Sequence, residues 1–234
     1  MVFVGGCATG LLITDAAAPP IRVTVDIDVI VQAVTRSDYY KLSERLRKQG
    51  FHEDMGENAP ICRWICGEVI LDVMPTDKNI LGFGNQWYEK AAEKSINLDI
   101  DIGKSIRLIS APYFLITKLD TFDGRGNGDY LMSHDVEDIV AVLDGRKTLF
   151  SEVLDSEEGL KKALKMKFES LLANPLFVDA VYGHVPSDSV SQQRVPLILD
   201  LMAKISNLCL VPIFNLLIIF KWHASVLESY PVLA

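Results

Sequence analysis

The sequence predicts an α+β protein in which strands and helices alternate up to about residue 150 and a helical part follows. Two observations lead to this fold class. Before residue 150, short apolar runs of high β-propensity lie between turns rich in glycine and proline. After Phe150, apolar residues recur at helical spacing, as in Leu160, Leu164 and Phe168. We therefore expect an α+β domain at 1–150, a helical region at 151–207 and an apolar tail at 208–234.

Turn and cap signals set the elements of the first half. Gly5–Gly6 predicts a tight turn between a strand and a helix, Ser37 can cap a helix that stops at Gly50, and Gly67 lies at the tip of a hairpin. The resulting expectation is strands at 1–4, 23–31, 61–66, 68–74, 95–102 and 105–109, with helices at 7–14 and 37–49.

The second half is predicted to be helical with two loops. Ser133 opens a helix whose apolar residues keep the 3, 4, 7 spacing until Gly145 ends it. The predicted helices are at about 111–121, 133–145, 160–172 and 195–205, with a flexible Gly-rich loop at 124–128 and a polar loop at 183–193.

Composition and charge exclude several classes of protein. With 49% hydrophobic and 23% charged residues among 234, the chain is neither disordered, nor a collagen, nor a coiled coil. A net charge of −8 excludes a general DNA coat protein, although a local basic patch for one specific nucleic acid stays open. We expect no secretory signal, because Pro19–Pro20 and Asp26 follow the opening apolar run at once, and the expected compartment is therefore cytoplasmic.

Two further features have ordinary structural interpretations. Cys62 and Cys66 alternate with Trp64 on one face of a strand, which favours buried thiols over a zinc site. The apolar run 208–220 has 13 residues, fewer than the ~20 that a bilayer requires. A buried helix, an oligomer contact or an ill-fitting tail is favoured over a membrane span.

The Gly5–Gly6 turn and the pair Asp26 and Asp28 carry the strongest chemical signal. A strand–Gly–Gly–helix turn presents backbone N–H groups and the positive end of a helix, which favour a phosphate. Two carboxylates on one strand face repel each other unless a cation lies between them. Mg²⁺, or Mn²⁺ in its place, is the natural candidate, because it takes oxygen ligands and shares them with phosphates.

Three other aspartates also lie in predicted strands. Asp99 and Asp101 repeat the pattern without a Gly-Gly turn, and we interpret them as an exposed strand face. Asp72 lies in another apolar strand. It could complete a three-carboxylate metal site with Asp26 and Asp28, or simply be an acid near a strand end.

Several short motifs follow one another along the chain: Gly5-Gly6-x-Ala8, Arg22-x-Thr24-x-Asp26-Ile27-Asp28, Gly82-Phe83 with Trp87, Lys118-Leu119 with Phe122 and Arg125-Gly126, and Ser133-His134-Asp135-x-x-Asp138-Ile139. The first two resemble the nucleotidyltransferases of the DNA polymerase β-type superfamily. The later ones narrow the resemblance to the AbiEii-type abortive-infection nucleotidyltransferases, a group that includes toxins of bacterial toxin–antitoxin systems. It covers roughly residues 3–150 and extends more loosely to about 205.

The resemblance implies a minimal nucleotidyltransferase fold, a small mixed sheet flanked by helices, that transfers a nucleotide from an NTP and releases pyrophosphate. Residue by residue, it implies the following roles: a phosphate turn at Gly5 and Gly6, metal-binding carboxylates at Asp26 and Asp28, a triphosphate lysine at Lys118, an acid of the last motif at Asp135, and, loosely, a third carboxylate at Asp72.

Basic residues outside these motifs leave alternatives open. Arg125, in the Gly-rich loop, is a candidate for contacting phosphate or RNA, whereas His134 is interpreted as incidental. The dense basic stretch of Lys161, Lys162, Lys165 and Lys167 could face an RNA acceptor but is more typical of a solvated helix face.

The sequence thus predicts a metal-dependent nucleotidyltransferase with NTP as substrate. Its acceptor would be RNA, such as tRNA, or a protein side chain, and an antitoxin would be a partner if the chain is a toxin. Two alternatives remain: transfer to a small molecule, as in antibiotic-modifying enzymes, and a catalytically degenerate nucleotide-binding or interaction module.

Overall fold

The computed structural model describes residues 1–33 and 35–209. The predicted apolar tail therefore lies outside the described residues from position 210 onward. None of the helices within the described ranges is long and apolar enough to cross a membrane.

A seven-stranded mixed sheet forms the centre of the α+β part, in the order β3-β4-β5-β2-β1-β7-β6. Strand β1 pairs antiparallel with β2 and parallel with β7, and β2 pairs parallel with β5. The strands are β1 (Val2–Val4), β2 (Asp26–Val31), β3 (His52–Glu53), β4 (Arg63–Cys66), β5 (Val69–Pro75), β6 (Ile96–Asp101) and β7 (Lys104–Leu108).

The described chain contains eleven helices. Some of them flank the sheet, and the later ones form the C-terminal part of the protein. Side-chain caps begin several of them: Thr35 accepts from the backbone N–H of Asp38, and Ser133 from that of Val136. The helices are α1 (Gly5–Leu12), α2 (Arg36–Lys48), α3 (Lys78–Leu81), α4 (Tyr88–Glu93), α5 (Ala111–Arg125), α6 (His134–Gly145), α7 (Leu149–Leu154), α8 (Glu158–Leu172), α9 (Pro175–Gly183), α10 (Ser189–Gln192) and α11 (Val195–Ser206). The predicted α+β class with a helical C-terminal part is confirmed.

Five local predictions were wrong, one of them the polar loop at 183–193, which contains α10. Gly5 begins α1 directly after β1, so no separate turn intervenes. Strand β2 starts at Asp26, because the chain before it is not paired and leaves Val23 90% exposed. Thr35, not Ser37, caps α2. Helix α5 continues to Arg125, where a loop was expected.

A main core cluster lies on the side of the sheet that packs against α1, α5 and α6. Its members come from both halves of the chain, including Val4 of β1, Phe114 of α5, Phe168 of α8 and Ile198 of α11. A smaller cluster on the opposite side packs Trp64 and Val73 under α2. The C-terminal helices therefore share the core that supports the α+β part.

Candidate active site

Four neighbouring strands, in the order β4, β5, β2 and β1, bring several of the selected residues together. In the sheet register, Val4 lies opposite Asp28, and Asp28 lies beside Asp72. The next strand places Arg63 opposite Asp72. Paired residues of neighbouring strands point to the same face, so Arg63, Asp72 and Asp28 form a row across the sheet that ends at the start of α1.

Gly5 lets the Asp28 carboxylate lie directly against the N-terminal end of α1. Its φ of +61° is in the left-handed region, and a Cβ at this position would overlap the Asp28 carboxyl group. Gly6 has a related role, because a Cβ there would lie 2.8 Å from Arg22 Nη2. The two glycines therefore admit one acidic and one basic side chain at the first turn of the helix.

The surroundings of Asp28 disfavour the charged form of its carboxyl group. Burial, and then the negative charges of Asp26 and Asp72, raise its pKa to about 6. Within the described residues, no hydrogen-bond donor contacts its carboxylate oxygens, whereas Asp26 Oδ1 accepts from Thr24 Oγ1 at 3.0 Å. The charges of Lys118 and Arg125 lower the pKa of Asp28 but do not outweigh burial and the two neighbouring acids.

Arg63 binds two of the three carboxylates that the sequence predicts as metal ligands. Its Nε and Nη2 donate to the two oxygens of Asp72 at 2.9 and 2.8 Å, and Nη2 also reaches Asp26 Oδ2 at 3.2 Å. The pKa of Arg63 is raised, chiefly by the hydrogen bonds to Asp72. Both oxygens of Asp72 are therefore taken by a protein cation.

A buried charge cluster joins α5 to α6 beside this row. Lys118 Nζ donates to Asp135 Oδ1 at 3.0 Å and to Asp138 Oδ2 at 2.6 Å, and all three residues are buried. Arg125 Nε donates to Asp135 Oδ2 at 3.2 Å, and Arg22 Nη2 to Asp138 Oδ2 at 3.0 Å. Burial alone would raise the pKa of Asp135, but Lys118 and Arg125 outweigh burial and lower it.

Five of the eight residues selected from the sequence line one small cavity of about 100 Å³. Thr117, Thr121 and Tyr88 complete its polar wall. The five are Gly5, Asp28, Lys118, Arg125 and Asp135. Gly6, Asp26 and Asp72 do not line it, because Gly6 contacts Arg22 and the two carboxylates are turned to Arg63.

Two functional candidates were missed by sequence reasoning although signals for them exist. Arg63 lies opposite Asp72 because Gly67 and Glu68 form a two-residue hairpin, so counting back from the predicted turn would have paired them. Asp138 lies three residues after Asp135, and on a helix that spacing puts both carboxylates on one face toward Lys118.

The carboxylates can be tested for their fit to a divalent cation. Asp28 fits, since it is a partly buried carboxylate with no donor, and Asp26 fits with the lone pairs that Thr24 and Arg63 leave free. Asp72 does not fit while Arg63 holds both its oxygens. Accordingly, residues 1–33 and 35–209 contain no group of three or more Asp, Glu, His or Cys side chains placed to hold a metal.

The remaining features have structural roles. Asp99 and Asp101 are exposed on β6, as predicted, and of the two cysteines predicted to be buried Cys62 is buried and Cys66 is half-buried. His134 is exposed and contacts Glu137. In the basic stretch on α8, Lys161 pairs with Glu158, Lys167 pairs with Asp120 and Asp123, and Lys165 donates to a backbone carbonyl.

A larger cavity of about 480 Å³ lies next to the buried cluster of Lys118, Asp135 and Asp138. Arg22 and Asp138 form part of its wall, together with the loop at 18–21, α6 and the segment that follows α9. Asp138 also accepts a hydrogen bond from Lys118, which lines the small cavity. The Asp138 carboxylate therefore connects the two cavities.

Comparison with known proteins does not identify a family or a function for this chain. No protein-family model and no curated protein matches the chain. The functional conclusion therefore depends on the residues of the site and the contacts between them.

Proposed function

We propose that this chain is a metal-dependent nucleotidyltransferase that moves a nucleotide from an NTP to an acceptor hydroxyl. The observation that supports it best is the small cavity in which Gly5, Asp28, Lys118, Arg125 and Asp135 meet. These five residues were selected from motifs spread over more than half of the chain, four for contacts with phosphate or metal and Asp135 as an acid of the last motif. Their meeting in one cavity supports the proposal.

The cavity suits a phosphate group rather than a whole nucleotide. Its volume of about 100 Å³ is well below the ~300–1,000 Å³ of typical ligand pockets. The start of α1 contributes backbone N–H groups, and Lys118 and Arg125 contribute positive charge. The nucleoside would then lie outside the cavity, with its triphosphate reaching in.

In the proposed reaction, the acceptor oxygen attacks the α-phosphorus and the bond from that phosphorus to the bridging oxygen breaks. The electron pair of this bond leaves with pyrophosphate, whose growing charge Lys118 and Arg125 neutralise. A divalent cation on Asp26 and Asp28 would supply further neutralisation of the phosphate oxygens. We assign the acceptor's proton to Asp28, the carboxylate of the cavity that has no donor, rather than to Asp72, which Arg63 holds.

The acceptor and the biological setting belong to the same proposal. We propose RNA, such as tRNA, or a protein hydroxyl as acceptor, and a toxin of a toxin–antitoxin pair, with an antitoxin as partner, as the setting. Transfer to a small molecule and a degenerate nucleotide-binding module are the competing functions, and one experiment separates all three.

The purified chain is incubated with each α-³²P-labelled NTP, Mg²⁺ or Mn²⁺, and total RNA, and the products are resolved on denaturing gels and by thin-layer chromatography. Labelled RNA or labelled protein supports the proposal. A labelled small molecule supports the antibiotic-type alternative. NTP binding without any labelled product would favour the degenerate module.

Matched variants connect the activity to the site. The double variant Asp26→Asn and Asp28→Asn should lose at least roughly a hundredfold in rate, because a bound metal contributes several kcal/mol in the transition state. The double variant Asp99→Asn and Asp101→Asn removes the same charge from an exposed strand and should keep the wild-type rate. Wild-type rates in the first variant would falsify the metal assignment.

A further inference from the structure

Arg63 occupies the place where a cation between carboxylates is expected. Its side chain is 22% exposed, and it bridges Asp72 on the neighbouring strand to Asp26 on the strand beyond. The protein thereby supplies its own positive charge to two of the three carboxylates predicted as metal ligands, Asp26 and Asp72, while Asp28 receives no hydrogen bond from Arg63.

The two contacts of Arg63 are unequal. Asp72 accepts two hydrogen bonds at 2.9 and 2.8 Å in the paired geometry that suits a guanidinium, and it is buried. Asp26 accepts one bond at 3.2 Å, from the same Nη2 that serves Asp72, and its side chain is 37% exposed. The bond to Asp26 is therefore the weaker one, and it can open without disturbing the pair with Asp72.

We propose that Arg63 is a built-in competitor for the metal site: it holds Asp26 when no metal is present, and a divalent cation must take Asp26 from it in order to bind. Asp72 then anchors Arg63 and is not a metal ligand. The inference rests on the proposed function, since it concerns the same Asp26 and Asp28 site, and it assigns Arg63 a positioning role in place of a third carboxylate. Its consequence is weak binding of the free cation, so that the metal would be brought in with the NTP phosphates.

Titration with Mn²⁺ alone, by calorimetry and by the electron paramagnetic resonance of unbound Mn²⁺, tests the competition without any turnover. Arg63→Met removes the competing charge, so its affinity for Mn²⁺ should exceed that of the wild type by roughly tenfold or more. Arg63→Gln also removes the charge and the paired contact with Asp72, but it keeps a polar N–H group on this strand face. It should show the same gain and serves if the methionine variant folds poorly.

Two control variants test whether the gain in Mn²⁺ affinity is specific to Arg63 and Asp26. Arg47→Met removes another arginine that pairs with two acids, Glu44 and Glu53, on the surface between α2 and β3, and it should not change the affinity. Asp26→Asn added to Arg63→Met should abolish the gain. Equal affinities for the wild type and both Arg63 variants overturn the proposal, as does an equal gain in Arg47→Met, which would indicate a bulk charge effect.

The proposed function and the proposed role of Arg63 can be refuted separately. If the wild type transfers nucleotides while its Mn²⁺ affinity is unaffected by the Arg63 variants, only the inference about Arg63 is refuted. If no variant binds Mn²⁺ and the wild type labels no acceptor, both the inference and the proposed metal-dependent function are refuted.

Discussion

At the scale of single residues, Gly5 matters for two reasons: its positive φ at the start of α1 and the close approach of the Asp28 carboxyl group. Replacing it by alanine introduces both a strained positive φ and an overlap with the Asp28 carboxyl group. We expect Gly5→Ala to lose nucleotidyl transfer and to destabilise the fold by about 2 kcal/mol or more, which combines the backbone strain with overpacking. Differential scanning fluorimetry and the labelling assay measure both effects.

Gly67 provides the matched control. It has a φ of +58°, close to that of Gly5, but nothing lies within 4 Å of a Cβ built there. Gly67→Ala should therefore show the backbone cost alone and keep its activity. If both variants lose the same stability and neither loses activity, the contact between Gly5 and Asp28 has no functional role.

Asp28 should also give the folded protein a specific pH dependence. Its pKa of about 6 lies above the ordinary 3.8, so the folded state binds this proton more tightly than the unfolded state does. Stability that is present below about pH 4 is then lost as the pH rises through about 6. With allowance for partial exposure, the loss is on the order of 2 kcal/mol, or about 4–8 °C in Tm.

Thermal unfolding in a chelating buffer from pH 4 to pH 8 checks this prediction. Asp28→Asn carries no charge at any pH, so its Tm should fall less than that of the wild type and should exceed it at pH 8. Asp99→Asn, on the exposed strand face, should follow the wild-type curve. Parallel curves for Asp28→Asn and the wild type would contradict the burial effect.

At the scale of elements, Lys118 connects helix α5 to helix α6. The sequence alone predicts that Lys118→Met costs little stability, because methionine keeps most of the apolar stem. The structure changes this expectation, since the buried ammonium neutralises Asp135 and Asp138. We expect a loss of about 3 kcal/mol or more, roughly 6–12 °C in Tm, because removing one partner leaves buried charge behind.

Lys167→Met is the control for this pairing, since Lys167 also bridges two acids, Asp120 and Asp123, at a more exposed position. Its cost should stay below about 1 kcal/mol. Adding Asp138→Asn to Lys118→Met should recover part of the lost stability but none of the activity. Equal Tm losses in the two lysine variants would show that burial does not determine the strength of the pairing.

At the scale of the whole molecule, the helices after residue 150 and the sheet share one core cluster. Phe168 of α8 is fully buried in the same cluster as Val4 and Phe114. We expect Phe168→Ala to destabilise the fold by about 3–5 kcal/mol, as for other buried aromatic residues. The α+β part and the C-terminal helices of this variant should both unfold at the same lower temperature or denaturant concentration.

A Trp222→Phe background tests this cooperativity, because its remaining tryptophans, Trp64 and Trp87, both precede residue 150. In Phe168→Ala, unfolding followed by their fluorescence and by far-ultraviolet circular dichroism should shift together. A fluorescence transition that stays at the wild-type midpoint would instead indicate that the first 150 residues fold as an independent domain.

The sequence was most informative where local signals suffice. The hairpin at Gly67, the Ser133 cap and the helical stripe from Leu160 to Phe168 depend on neighbouring residues, and the structure contains each of them. It was least informative at the ends of elements. Strand β2 is shorter than its valines suggest, because β-propensity cannot show whether a partner strand is present beside Val23 and Val25.

For the candidate site, the sequence alone determined which residues to consider: two glycines, four carboxylates, a lysine and an arginine, chosen for their chemistry and spacing. Only the tertiary structure decided how their charges are paired. Arg63 takes Asp72 and part of Asp26, Asp138 joins Asp135 on Lys118, and Asp28 remains without a donor among the described residues. The physical reason is that electrostatic pairing depends on distances of a few ångströms between groups far apart in the chain, which sheet register and helix packing fix.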